Sequence, residues 1–237
     1  MSKTGRIAVL LNIHEENDSD ASRNPVSRGL FAKDFLSSGT DVSTKHWIEK
    51  TTETYGEEGL KRAGGFTLFC GRVETDPECK RILHEPFGLF SNRGDKASWV
   101  LSSAPEVARE HLEHALDREH GICVVSNGTD QTWEKLEIGR RLLKQLIDNQ
   151  DNYDDNDLIE QLFAILSHDT YPLEEPTVYN LRKSIFIPTA KELYNGIYGT
   201  RTQTVVLIDT HGNVKYIEKN LGKDGFMSTF DFKLKEK

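Results

Sequence analysis

The sequence predicts an α+β domain in which mainly antiparallel sheets carry helices on their outer faces. Strand-like runs dominate both ends of the chain, the middle is helical, and turn signals between neighbouring strands favour hairpins over βαβ units. The chain has 237 residues, enough for one domain that buries a core. We therefore treat residues 1–237 as a single domain.

The N-terminal part predicts one strand followed by two helices. Residues Gly5–Asn12 are apolar and β-branched in their middle, as a buried strand requires. Pro25 and Ser27 are typical of a helix start, and a rough apolar face follows over two turns at Leu30, Phe31, Phe35 and Leu36. A second helical stretch runs from Val42 to Thr54, with a further turn up to Ala63.

After the Gly64-Gly65 break the pattern returns to short strands. They are predicted at Phe66–Gly71, Phe87–Ser91, Ser98–Leu101 and Ile122–Ser126. The turn sequence Asn92-Arg93-Gly94-Asp95 predicts a hairpin between the second and third of them. One helix is expected between Glu106 and Leu116.

The remaining elements are two helices and a C-terminal set of strands. Thr132 and Asn156 are the predicted N-caps of the helices. The strands are predicted at Ser184–Ile187, Thr202–Asp209, Val214–Glu218 and Met227–Leu234. Residues Thr210–Asn213 form the expected hairpin turn.

The charge balance and the cysteines exclude several classes of protein. Lys and Arg number 30 against 38 Asp and Glu, a net charge of −8, and no basic patch is visible along the sequence. Such a surface repels nucleic acids and anionic membranes. Three irregularly spaced cysteines favour a reducing compartment, and the apolar runs near the N-terminus are too short for a signal peptide or a membrane span. We expect a cytoplasmic protein without a transmembrane segment.

No metal or catalytic site is predicted. The aspartate-rich segment Asp148–Asp157 has Tyr153 and Ile159 where a calcium loop needs Gly and Glu, so we interpret it as a solvated loop. We interpret His111, His114 and His120 near Cys123 as surface residues rather than zinc ligands, with haem ligation an open alternative.

The thiols are not predicted to be nucleophiles. Cys70 and Cys123 lie inside apolar strands and have no neighbouring base in the sequence. Buried thiols in such surroundings are normally inert, so we name no catalytic residue.

Two clusters place an arginine beside glycine and side-chain donors. They are Ser91-Asn92-Arg93-Gly94 and Tyr198-Gly199-Thr200-Arg201-Thr202. An arginine in this setting can hold a carboxylate or phosphate through two parallel hydrogen bonds. The alternative is that the first cluster is turn chemistry and that Arg201 forms an internal ion pair, and the residues alone favour this alternative.

Taken in order, segments along nearly the whole chain resemble the Asn-Arg-Asp-Glu family of transport and Golgi organisation proteins. The resemblance rests on the strand ending at Asn12, on Arg28-Gly29, on Asn92-Arg93-Gly94, on Ser126-Asn127 followed by Trp133, and on Tyr198–Thr204 running into a hairpin. It marks as ligand-binding the residues Asn12, Arg28, Asn92, Arg93, Ser126, Asn127, Trp133, Thr200, Arg201 and Thr202.

The resemblance implies a fold and a range of functions. The expected fold is a four-layer αββα sandwich like that of N-terminal-nucleophile hydrolases. Members of the family are linked to Golgi organisation and secretion, to haem movement, and to lipid and acyl-coenzyme A metabolism. The implied cargo is haem or an acyl-coenzyme A-like hydrophobic anion. The implied partners are secretory-pathway or mitochondrial proteins, with association to the Golgi or to mitochondria.

The chain departs from the family at its start. Family members begin with Met-Cys, a strand and the Asn-Arg-Asp-Glu motif, and this sequence starts beyond that point. We therefore expect a sandwich without its first strands, an open edge beside Gly5–Asn12, and no catalysis through an N-terminal Cys. Ser2 aligns inside the domain and is not expected to replace that Cys. The hypotheses rank as a carrier of a hydrophobic anion, a ligand-free interaction protein, and an amide or thioester hydrolase.

Overall fold

The computed structural model describes residues 1–13, 26–76, 81–84, 87–93, 98–100, 116–117, 119–127, 133–172, 177, 179–193 and 196–235. The helix predicted for Glu106–Leu116 lies outside these ranges, except that Leu116 begins a short strand. Cys79, Thr132 and the histidines at 111 and 114 also lie outside them.

The first layer consists of two helices that lie on a five-stranded antiparallel sheet. The helices are α1 (Arg28–Ser37) and α2 (Thr44–Lys61). The strands are β1 (Arg6–Asn12), β2 (Phe66–Asp76), β3 (Arg81–His84), β4 (Gly88–Ser91) and β5 (Ser98–Val100). The strand order is β1-β2-β4-β5 with β3 paired to β2, so β1 lies at an edge of the described part of this sheet.

The second half of the chain supplies a three-stranded antiparallel sheet and two further helices. The helices are α3 (Glu134–Asp148) and α4 (Asp155–Leu166), and the sheet order is β10-β11-β12. These strands are β10 (Thr202–Ile208), β11 (Asn213–Asn220) and β12 (Met227–Lys233). Two small hairpins complete the described elements: β6 (Leu116–Asp117) with β7 (Ile122–Cys123), and β8 (Ala190–Leu193) with β9 (Gly196–Tyr198).

Three apolar clusters connect these layers. The first, centred on Phe31, Phe66 and Phe90, joins α1 and α2 to one face of the five-stranded sheet. The second joins the other face of that sheet, at Val73, to Val214 of the three-stranded sheet. The third places Phe163 of α4 against the opposite face of the three-stranded sheet. The described layers therefore follow the order helix, sheet, sheet, helix, while the likeness to N-terminal-nucleophile hydrolases stays a prediction.

Two buried arginines tie the start of the chain to the loop between α1 and α2. Arg6 is fully buried and donates to the carbonyl oxygens of Ser38, Gly39 and Val42, and its guanidinium lies over the Phe35 ring. Arg72 donates to the carbonyl of Thr40. Burying a guanidinium is costly unless its N–H groups find acceptors, so the two buried arginines depend on the carbonyl groups of this loop, although the loop itself is largely exposed.

The structure corrects three sequence predictions. The N-cap of α3 is Trp133 and not Thr132, one residue later than predicted. Residues Ser184–Ile187 do not form a strand. The buried Ser184 hydroxyl instead accepts from the Thr170 N–H at 2.9 Å and donates to the Phe186 carbonyl at 2.6 Å, which replaces ladder hydrogen bonds with side-chain bonds. The N-cap of α4 is Asp154 and not Asn156, because its carboxylate accepts from the backbone N–H groups of Asn156 and Asp157.

Candidate functional site

One end of the five-stranded sheet gathers many of the residues that the resemblance marks. Asn12 at the end of β1 pairs with Phe66 at the start of β2, and Ser91 at the end of β4 pairs with Thr67. The Gly64-Gly65 loop that leads from α2 into β2 therefore lies between the ends of β1 and β4. Asn92 and Arg93 follow β4 directly, and Arg28 opens α1 nearby.

Asn92 is the centre of this sheet end. Its side-chain nitrogen donates to the carbonyl oxygens of Leu60 at 2.9 Å, Ala63 at 3.0 Å and Gly64 at 3.2 Å. Its side-chain oxygen accepts from the backbone N–H of Phe66 at 2.8 Å. The buried side-chain amide of Asn92 thus provides hydrogen-bond partners for backbone groups where α2 ends and β2 begins. Its role is to anchor the connection between this helix and this strand.

Arg28 and Arg93 hold the same loop from two sides. Arg28 donates from Nη1 to the Gly65 carbonyl at 3.0 Å, and Arg93 donates from Nη2 to the Ala63 carbonyl at 3.3 Å. A Cβ on Gly64 would lie 3.4 Å from the Arg28 guanidinium, so glycine permits this close approach. The turn-chemistry alternative therefore has direct structural support for Asn92 and Arg93.

Asn127 and Ser126 lie at the outer side of this sheet end. The Asn127 side chain donates to the Asn12 carbonyl at 3.1 Å, and the buried Ser126 hydroxyl donates to the Asn127 side-chain oxygen at 3.2 Å. These contacts connect the segment after β7 to the end of β1. The structure thus brings together Asn12, Arg28, Asn92, Arg93, Ser126 and Asn127.

The second predicted cluster, at Thr200–Thr202, lies at the start of β10 in the other sheet. The Thr200 hydroxyl accepts from the Ile187 N–H at 2.8 Å. Arg201 is exposed, and its carbonyl accepts from the Leu221 N–H at 2.8 Å. Thr202 is exposed and pairs with Asn220. This cluster borders the turn between β11 and β12 rather than the Gly64-Gly65 loop.

A groove lies between α4 and the turn that joins β11 to β12. Its volume is about 950 Å³. Apolar side chains line most of it: Ile159, Phe163, Ala164, Leu221, Phe226 and Met227. Lys219 and Glu160 also line it, and Lys219 Nζ lies 5.8 Å from the centre of the Phe163 ring. Leu221 connects the groove to Arg201 through the backbone hydrogen bond.

The buried side-chain amide of Gln203 lies beside this groove. Gln203 of β10 is 3% exposed and donates from Nε2 to the hydroxyl of Ser167, which lines the groove, at 2.9 Å. Its Oε1 atom has no hydrogen-bond partner within the described part of the chain. Sequence reasoning missed Lys219, Ser167 and Gln203, because no local motif marks residues that only the packing of α4 on the sheet brings together.

The described cysteines are poor nucleophiles. Burial raises the pKa of the Cys70 thiol to about 12, although Arg6 opposes this shift, and burial raises the pKa of Cys123 to about 11. At neutral pH both are protonated, which agrees with the prediction of inert thiols.

Neither a metal-holding group nor a membrane-spanning helix is found in the described ranges. His120 contacts the carboxylates of Asp117 and Asp148, at 3.1 and 3.6 Å. The search of the described residues found no cluster of His, Cys, Asp and Glu suited to a metal ion. None of the described helices has the length and apolarity needed to cross a bilayer.

Comparison with known proteins identifies the family. The sequence pattern described as "Transport and Golgi organisation 2" matches residues 1–223. The chain belongs to this family. It is 26% identical to the bovine Transport and Golgi organization protein 2 homolog over 232 residues, which is 94% of this chain and 72% of the bovine one. It is 23% identical to the mouse homolog over 231 residues and 24% identical to the human homolog over 228, each covering 93% of this chain and 70% of the relative.

Proposed function

We propose that this member of the Transport and Golgi organisation 2 family is a non-catalytic carrier of a hydrophobic anion that acts in Golgi organisation and protein secretion. The preferred cargo is haem, and an acyl-coenzyme A-like anion is the second. Family membership supports the Golgi-related role, because the relatives carry it in their names. The proposed location is the cytoplasm, in association with the Golgi or with mitochondria.

The groove between α4 and the β11–β12 turn is the observation that carries the proposal. Its volume of about 950 Å³ lies at the upper end of the range for small-molecule sites. Most of its lining is apolar, as expected for a site that removes a hydrophobic body from water. Phe226 and Met227 at its rim are more than half exposed, at 56% and 64%, so apolar surface is available to a ligand.

Lys219 is the cation that lines the groove, and Glu160 is an acidic residue in the same lining. Arg201 is joined to the groove residue Leu221 through its backbone carbonyl, and we propose that its exposed side chain reaches a bound anion. An ammonium beside an apolar surface favours a carboxylate on a hydrophobic body over a neutral ligand of the same size, and a guanidinium adds to this preference. The two propionates of haem, or the acidic end of an acyl-coenzyme A-like molecule, would fit this arrangement.

The proposal is tested by titrating hemin into the purified chain and following the haem absorbance band. We expect saturation near one equivalent for the parent, and about tenfold weaker binding for each of Arg201→Ala and Lys219→Ala, since a charged hydrogen bond contributes about 1.5–3 kcal/mol. Lys33→Ala, which removes an exposed cation from α1, is the matched control. An unshifted band with the folded parent, or equal binding by all variants, contradicts the carrier proposal.

A second candidate is a ligand-free interaction protein of the secretory pathway. One face of the three-stranded sheet carries a row of cross-strand neighbours, Val206, Tyr216 and Phe230. Val206 is 38% exposed and Phe230 is 59% exposed. Exposed apolar rows of this kind are typical of protein-binding surfaces. Pull-down of one secretory-pathway protein by the parent, but not by Phe230→Ser, would favour this candidate if hemin does not bind.

A further inference from the structure

A ladder of alternating cations and aromatic rings lies where α3 begins and the 3₁₀ turn Tyr179–Arg182 ends. Lys135 Nζ lies 4.7 Å from the centre of the Trp133 ring, and the Arg182 guanidinium carbon lies 5.2 Å from the same ring. The guanidinium carbon is also 5.5 Å from the centre of the Tyr179 ring, and Lys183 Nζ is 5.6 Å from it. We call Trp133, Lys135, Tyr179, Arg182 and Lys183 the basic aromatic patch.

The charge of this patch is opposite in sign to the net charge of the chain. The sequence has a net charge of −8 and 38 acidic residues, yet no ion pair joins Lys135, Arg182 or Lys183 to a carboxylate in the described ranges. The first turn of α3 holds two acidic side chains, Glu134, which is exposed, and Glu137, which is bonded to Arg140. The sequence showed no basic patch because Lys135 and Arg182 are far apart along the chain and meet only in the fold.

The Lys135 ammonium is partly removed from water. Burial lowers its pKa to about 8. A desolvated ammonium without a counter-ion is costly, and an anion placed against it restores the charged form. The cation–π contact with Trp133 compensates for only part of this cost.

The backbone adds a favourable field at the same place. Trp133 is the N-cap of α3, a helix of 15 residues, and provides no side-chain hydrogen bond to the first turn. The positive end of the helix dipole adds to the charges of Lys135 and Arg182, while the carboxylates of Glu134 and Glu137 in the first turn oppose it. The dipole is secondary to the three cations at the two rings, none of which has a carboxylate partner among the described residues.

We infer that the basic aromatic patch binds a phosphate group, carried either by a soluble phosphate ester or by an anionic lipid headgroup. A phosphate carries about −1.5 to −2 charges and three acceptor oxygens, which matches several neighbouring cations better than a single carboxylate does. Tyr179, 63% exposed, and Trp133 supply amphipathic rings that suit either a ligand body or the headgroup layer. This inference is independent of the hydrophobic-anion groove.

The experiment compares the full chain with the double variant Lys135→Met/Arg182→Gln. Inorganic phosphate is titrated against tryptophan fluorescence, and co-sedimentation is measured with phosphatidylcholine vesicles with or without phosphatidic acid. Each cation near an anion contributes about fivefold in affinity, so the double variant should bind about 30-fold more weakly. Arg141→Gln removes an exposed cation from the same helix and should bind like the parent.

The two probes distinguish a soluble phosphate ester from a lipid headgroup as the ligand. Binding of inorganic phosphate that the double variant loses supports a soluble ester as the ligand. Binding only to phosphatidic acid vesicles, again lost in the double variant, supports a lipid headgroup. The inference is overturned if neither probe binds, if the double variant binds as well as the parent, or if Arg141→Gln loses as much. Hemin binding by the double variant should equal that of the parent, which separates this inference from the carrier proposal.

Discussion

The side-chain oxygen of Asn92 accepts a hydrogen bond from the backbone N–H of Phe66 at 2.8 Å, in a buried corner of the domain. The same side chain donates to carbonyl groups at the end of α2. Asn92, which the sequence predicts as part of a turn, therefore connects the first helical layer to its sheet.

We expect Asn92→Leu to lower the free energy of unfolding by about 3 kcal/mol or more, because it leaves several buried backbone groups without partners. Urea denaturation followed by circular dichroism measures this. Asn149→Leu is the control, since Asn149 is exposed and donates only to the Gln145 carbonyl, and it should cost about 1 kcal/mol or less. Equal losses for the two variants would refute the anchoring role.

A comparison of Gly5 with Gly56 separates the cost of a steric clash from the cost of a left-handed backbone conformation. Both have positive φ, at 83° and 60°, but a Cβ on Gly5 would lie 1.9 Å from the Val73 carbonyl oxygen, whereas one on Gly56 meets nothing within 4 Å. We expect Gly56→Ala to cost about 1–2 kcal/mol, the strain of the left-handed conformation alone. Gly5→Ala should cost clearly more and separate β1 from β2, as measured by thermal unfolding. Similar midpoints for both variants would show that this contact relaxes freely.

The pKa of Cys70 predicts how stability changes in alkali. Its pKa is raised to about 12 in the folded chain, above the ordinary value of 9.0. Between these values the unfolded chain loses the thiol proton while the folded chain keeps it, so the stability contribution present below pH 9 is lost as pH rises toward 12.

Cys70→Ala removes that contribution. The free energy of unfolding of the parent should therefore fall more steeply from about pH 8 to about pH 10 than that of Cys70→Ala. Lys135, whose pKa is lowered to about 8, changes stability in the opposite direction, but it does so equally in both chains and cancels in the difference. Parallel pH curves for the two proteins would contradict the burial of this thiol.

The capping box of α4 predicts different roles for two neighbouring residues. The Asp154 carboxylate accepts from the first-turn N–H groups, and the Asp157 side chain accepts from the Asp154 N–H. We expect Asp154→Ala to cost about 1 kcal/mol in urea unfolding and Asn156→Ala to cost little. The reverse order would restore Asn156 as the N-cap.

The groove offers a steric test on one helix. Ala164 lines it, whereas Gln161 on the same helix does not, and both are exposed. We expect Ala164→Phe to fill the groove and weaken hemin binding about tenfold, or about 1.4 kcal/mol, while Gln161→Phe leaves the titration unchanged. Loss of binding in both variants, or in neither, would place the hemin site elsewhere.

Residue alternation and turn residues predicted much of the fold. The elements that were predicted wrongly or not at all depend on contacts between residues far apart along the chain. Alternation and turn residues located the hairpin of β10 and β11, because its register follows from neighbouring residues. The strand Arg81–His84 was not predicted, because it pairs with a continuation of β2 to Asp76 that no local pattern indicates. Ser184–Ile187 was predicted as a strand from its apolar residues, but the Ser184 hydroxyl competes for the backbone groups.

The site was predicted less completely than the fold. The resemblance marked residues that the structure does bring to one sheet end, yet Arg28 and Arg93 there hold backbone carbonyl groups. The groove and the basic aromatic patch depend on pairs such as Phe163 with Lys219 and Trp133 with Arg182, which are distant along the chain. The spacing of residues along the sequence does not predict such pairs.

The loop that Arg6 and Arg72 hold has a practical consequence for imaging and labelling. Gly39, Thr40 and Asp41 are exposed and would look like a permissive place for an epitope tag. A tag inserted there would pull the carbonyls of Gly39 and Thr40 away from two buried guanidinium groups, so we expect the fusion to aggregate in cells. The exposed 3₁₀ turn Gln150–Asn152 is the better insertion point, because none of its residues is buried and, within the described ranges, no buried arginine donates to it.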